Sequence, residues 1–210
     1  MLENFDILGY FYKQDNHVFR RFLEIKRKNF NDSENDLSVI MMNPGKSFLK
    51  YYEGNNSTDS FNKFVEATTD KTIKQILRIM EIKKLNYAKI VNLSDIRVTN
   101  STIFYKMLKT ELKNYDHSIF SERNREYIKN YFNPASLFIL AWGTNKILQD
   151  LSKNAIEVIN EYWGKDIRKI GIKHPVNKYG YYHPLPRTDE GQKQWIDDII
   201  NMIDNNILTV

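Results

Sequence analysis

Leu37-Ser-Val-Ile-Met-Met-Asn43-Pro44-Gly45-Lys46-Ser47 is the stretch that decides how this chain folds. An apolar run stops abruptly at an amide, a proline and a glycine. The run reads as a buried strand, and Pro44 must end it because proline cannot donate to a sheet ladder. In a parallel α/β sheet, the loop at the carboxyl end of a strand is where ligands bind. The stretch therefore predicts a core strand that delivers Asn43 to the mouth of a site.

Three more strands are predicted at Tyr87–Leu93, Leu137–Gly143 and Ile167–Ile172, the first two again running into polar, punctuated ends. Helical periodicity fills the spaces between them. From Asp70 onward, Ile73, Ile76, Leu77 and Met80 share one face while Lys71, Lys74 and Arg78 point away. Two helical segments are predicted over about 102–115 and 119–132. Thr144 is placed to cap a helix with Ile147, Leu148, Leu151, Val158 and Ile159 inward, ended by Gly164. Thr188 or Asp189 starts a terminal helix carrying Trp195, Ile196 and Ile199. Residues 46–69 read as a long loop. This alternation predicts an α/β fold, a three-layer, mostly parallel four-stranded sheet flanked by helices.

Ahead of the sheet, Ile7–Lys13 and Val18–Ile25 flank a polar Gln14–His17 turn, which predicts a β-hairpin. Arg20 and Arg21 interrupt its second strand, so one face is expected to meet solvent. The chain thus divides into an N-terminal hairpin extension over residues 1–36, packed on the core, and an α/β domain over 37–210.

Composition narrows the chemistry. The 210 residues are 41% hydrophobic and 27% charged, an ordinary globular balance with no stretch long enough to span a bilayer. The opening Met1–Asp6 is acidic rather than basic, which argues against export and for a cytoplasmic protein. Without cysteine there are no disulfides or thiolate nucleophiles, and most structural zinc sites are removed. His17, His117, His174 and His183 have no paired metal-ligand spacing, so a metal centre is not expected. Lys and Arg outnumber Asp and Glu by 31 to 26, which is compatible with a phosphate-backbone partner.

Four punctuated loops fall on the predicted ligand edge: Asn43-Pro44-Gly45, Asn92–Asp95, Trp142-Gly143-Thr144 and Tyr181–Arg187. They contain no phosphate-cradling glycine loop, no GxSxG elbow and no clustered carboxylate pair. Kinase, α/β-hydrolase and two-metal phosphodiesterase chemistries lose support accordingly. Two amides and an imidazole suit breaking a bond whose leaving group departs as an anion. On residue type alone, Asn92 could equally satisfy strand-end backbone groups, and His183 could be a hydrogen-bonded structural histidine.

Taken in order, these motifs resemble the uracil-DNA glycosylase superfamily, and more closely a bacterial domain of unknown function with motifs of the form NPS, NL, AWG and HPL. Met41-Met42-Asn43-Pro44-Gly45 is similar to the superfamily's first motif. Val91-Asn92-Leu93 resembles the strand supplying a pyrimidine-reading asparagine. Leu140-Ala141-Trp142-Gly143 resembles the Trp-Gly strand end, and His183-Pro184-Leu185-Pro186 the His-Pro loop, with Leu185 in place of a serine. The likeness spans about residues 37–200.

The resemblance implies that Asn43 positions an attacking water, that His183 stabilises charge on the departing base, and that Asn92 reads its edge. It implies that Phe48, Tyr51 or Tyr52 stacks on the flipped base. Pro44, Gly45, Lys46 and Ser47 would face DNA, with Arg187 as the wedge filling the vacated stack. The implied partner is DNA, single-stranded or uracil-containing, met by a monomer without a membrane, and the glycosylase-type chemistry needs no metal or cofactor. A second reading keeps the fold as a catalytically silent DNA-binding module. A third invokes Glu24-Ile25-Lys26 or Glu81-Ile82-Lys83 as a metal-dependent nuclease element.

Overall fold

A computed structural model describes residues 2–50 and 61–207. The elements run β1 (Phe5–Gln14), β2 (His17–Arg27), β3 (Leu37–Met41), β4 (Phe64–Glu66), α1 (Lys71–Lys83), β5 (Tyr87–Asn92), α2 (Ser101–Lys109), α3 (Arg125–Lys129), β6 (Leu137–Ala141), α4 (Gln149–Trp163), β7 (Lys169–Ile170) and α5 (Asp189–Ile207). All seven strands join one mixed sheet in the order β4-β1-β2-β5-β3-β6-β7.

The α/β class holds, but the four-stranded, mostly parallel sheet does not. The hairpin strands add to the same sheet: β2 pairs antiparallel with β5, while β5-β3, β3-β6 and β6-β7 pair in parallel. The reason lies in β2. Leu23 and Ile25 are wholly buried beside Ala88 and Ile90, so the strand completes the apolar face that β5 would otherwise expose. β4, a strand unforeseen within the predicted loop, pairs with β1 at the outer edge.

Alternation along β3 sends Leu37, Val39 and Met41 to one face and Ile40 to the other. The first face packs on α1 and α5 through Ile76, Leu77, Met80, Ile199 and Ile203. The second packs on α2, α3 and α4 through Phe104, Ile128, Val158 and Ile159. Each such buried aliphatic side chain contributes roughly 1.5–3 kcal/mol.

Several boundaries moved. Of the predicted helix over 119–132 only Arg125–Lys129 is α-helical. Asn145, not Thr144, caps the turn leading into α4, its side chain accepting from the Ile147 N–H at 3.0 Å. Gly164 ends α4 at φ 86°, as the pattern required. The fourth core strand shrinks to Lys169–Ile170. Arg20 is corrected outright: strand alternation sends it to the face opposite Arg21, where it is 1% exposed with its guanidinium on Asn92. Among the described residues no helix is long and apolar enough to cross a membrane.

Candidate active site

β3 and β6 are parallel neighbours, yet the helix that follows β3 lies on one face and the helix that follows β6 on the other. The chain therefore parts at the carboxyl ends of these two strands, and an α/β sheet leaves its ligand crevice at such a switch point. A cavity of about 520 Å³ opens there, within the range of small-molecule sites. Its walls are the strand ends Met41–Lys46 and Trp142-Gly143, the start of α1 from Asp70 to Ile73, the loop before α2, and His183 with Leu185.

Asn43 leaves β3 and ties down the loop after β5. Its Nδ2 donates to the Val98 carbonyl at 2.7 Å and, more weakly, to that of Ile96 at 3.4 Å. With both amide hydrogens directed there, Oδ1 is the part of Asn43 left to face a ligand or water. Gly45 turns the chain at φ 63°, where a Cβ would stand 3.0 Å from Asp70 Oδ2. Glycine is thus required twice, for the left-handed backbone and for the approach of that carboxylate. Asp70 is anchored as the cap of α1, Oδ1 accepting from the Ile73 N–H at 2.9 Å.

His183 is held from both sides. The Tyr181 carbonyl accepts from Gly143 N–H at 2.7 Å, the Tyr182 carbonyl from Trp195 Nε1–H at 3.1 Å, and the Pro184 carbonyl from the buried Gln75 amide at 3.3 Å. The ring's Nδ1 accepts from the Leu185 N–H at 3.2 Å, so the neutral imidazole must carry its proton on Nε2. Burial pushes its pKa down to about 4, opposed in part by the negative charge of Asp70. At neutral pH the residue is an uncharged Nε2–H donor.

Of the expected site residues, Asn43, Pro44, Gly45, Lys46 and His183 share this cavity. Asn92 does not. It is 1% exposed, and its Oδ1 accepts from Arg20 Nη2 at 3.0 Å. Ser47 is fully buried, with its carbonyl taken by Arg97 Nε at 3.1 Å. Phe48 lies under the Arg97 guanidinium at 4.2 Å and edge-on to Phe11, so it belongs to the wall of the core rather than to the cavity. Arg187 is exposed two residues beyond Leu185 and outside the cavity lining. Tyr51 and Tyr52 lie outside the described residues.

Sequence reasoning missed Asp70, Lys71, Thr72, Thr99, Ser101 and Tyr105, all of which line the cavity. The available signal was an aspartate opening the helix that follows the Asn-Pro-Gly loop. It also missed Arg20, whose pKa burial lowers to about 10 against an opposing attraction led by Asp70. That cation lies behind the site, reaching Asn92 on one side and within electrostatic range of Asp70 on the other.

The two nuclease triplets stand elsewhere. Glu24 accepts from the Tyr87 hydroxyl at 2.8 Å, and Lys26 sits 5.0 Å from that ring's centre. Glu81 pairs with Arg27, and Lys83 with Asp204.

The fold and the cavity define an α/β protein with a ligand site at the switch point of a mixed sheet. The chain belongs to the family described as protein of unknown function (DUF1643), whose model matches residues 21–185. The matched span runs from the middle of β2 to Leu185 and so includes the cavity loops. No curated protein matches the sequence. Among solved structures, the chain is similar to a mutant of the feruloyl esterase module from Clostridium thermocellum complexed with sinapinate. That likeness has 11% identity and a TM-score of 0.29, covering 77% of this chain and 63% of that one. So distant a likeness carries no argument about this chain.

Proposed function

We propose that this cavity hydrolyses the N-glycosidic bond of a flipped uracil or related deaminated base in DNA, in the manner of the uracil-DNA glycosylase superfamily. The observation that carries the reading is that Asn43 and His183, far apart in sequence, line one cavity in complementary roles. Asn43 offers a fixed amide oxygen to orient water. His183 offers a neutral N–H, suited to hydrogen-bond a carbonyl oxygen that gains negative charge as the base departs. Such a donor is worth roughly 10²–10³ in rate.

Lys46 and Lys71 stand at the cavity wall and exposed Arg187 just beyond it, where a phosphate backbone would pass. With Asn92 held by Arg20, reading of the base falls to Thr72, Thr99 and Ser101. Tyr105, whose hydroxyl lies 3.5 Å from Met42 Sδ, takes over from Phe48 as a stacking ring among the described residues.

That capture of Asn92 favours a second reading, a DNA-binding module of the same fold without hydrolysis. Incubation with a uracil-containing oligonucleotide in EDTA, followed by alkali, separates the two. Alkali-labile sites are the expected result, lost in Asn43→Ala and His183→Ala proteins that retain their folded circular dichroism. Salt-sensitive binding with no cleavage would select the silent module instead.

A further inference from the structure

Hydrolysis by water needs a group that accepts a proton, and neither expected catalytic residue can serve. Asn43 is an amide, and its Nδ2 is committed to Val98 and Ile96. His183 has Nδ1 occupied by the Leu185 N–H and presents a donor to the cavity. The remaining described lining residues supply two lysines, four hydroxyls and apolar or main-chain surface. One carboxylate is left, that of Asp70.

We propose that Asp70 is the general base of this site, a role that rests on the hydrolytic reading given above. The geometry supports it in three ways. Its Oδ1 is fixed by the helix cap, which leaves Oδ2 oriented and free of hydrogen bonds from the described residues. Oδ2 lies against Gly45, on the same loop that carries Asn43, where any larger residue would crowd it. The buried Arg20 guanidinium lies behind the site, within electrostatic range of the carboxylate. Water held between Asn43 Oδ1 and Asp70 Oδ2 would attack the sugar carbon as the C–N bond breaks. The water proton passes to Oδ2. The departing base keeps the bonding pair, hydrogen-bonded to His183 Nε2–H, and is protonated on release, while Asp70 returns its proton to solvent. The products are the free base and an abasic sugar.

The test uses Asp70→Asn and Asp70→Ser, both of which retain an oxygen able to cap α1 and neither of which can act as a base. Single-turnover rates on the uracil oligonucleotide should fall ~10²–10⁴-fold in both, with oligonucleotide affinity held within a few fold. Any acid limb of the wild-type pH–rate profile should be absent from both variants. Independently of turnover, the His183 ring followed by NMR should titrate at lower pH in Asp70→Asn, since a neighbouring negative charge has been removed. An active wild type with an equally active Asp70→Asn or Asp70→Ser protein would overturn the assignment and leave the glycosidic reading standing. A wild type that makes no alkali-labile sites would overturn both.

Discussion

His183→Asn tests the electrostatics of the cavity without any assumption about substrate. In the folded protein the imidazole resists protonation until about pH 4, whereas an unfolded histidine takes its proton near 6.5. The unfolded state therefore binds more protons between those values. The contribution of His183 to stability is complete above pH 6.5 and is lost as pH falls toward 4. At about 1.4 kcal/mol per tenfold difference in proton affinity, the full effect is about 3.5 kcal/mol. The ring borders an open cavity rather than a sealed core, so solvent reduces this to about 2 kcal/mol at pH 4.5. Asparagine retains an acceptor for the Leu185 N–H but does not titrate. Urea unfolding at pH 7 and pH 4.5 should show the wild type losing about 2 kcal/mol more than His183→Asn over that interval. Every other titrating group is common to both proteins and cancels in the comparison. Parallel losses in the two proteins would refute the burial of the ring and, with it, the neutral donor on which the site depends.

Two further substitutions probe what shapes the cavity. Gly45→Ala should lose about 1–2 kcal/mol from its left-handed backbone alone, with an added strain from the methyl group facing Asp70 Oδ2; an unchanged denaturation midpoint would contradict this. Arg20→Leu leaves the buried Asn92 amide oxygen without its donor and should cost about 1.5–3 kcal/mol, with a double mutant Arg20→Leu/Asn92→Leu costing less than the sum of its parts. Strict additivity in that cycle would place the two side chains out of contact.

What the chain's own letters determined was local. Pro44 had to end β3, Gly164 had to end α4, and Asp70 opened a helix whose apolar spacing left no other face to bury. The arrival of Asn43 and His183 at a common edge was legible for the same reason, since strand ends in parallel neighbours fall together. Pairing partners were not legible. Nothing in Val18–Ile25 announces that β2 will pair with β5, because that bond depends on which apolar face another strand leaves open. The same limit hid the fate of Asn92. A strand-end amide looks alike whether it faces a ligand or a neighbour, and Arg20 meets Asn92 only once β2 is aligned beside β5. Helix starts and strand stops follow from sterics between adjacent residues. The contents of the cavity follow from packing between distant ones, and only the assembled sheet could bring Asp70 and His183 to the same wall.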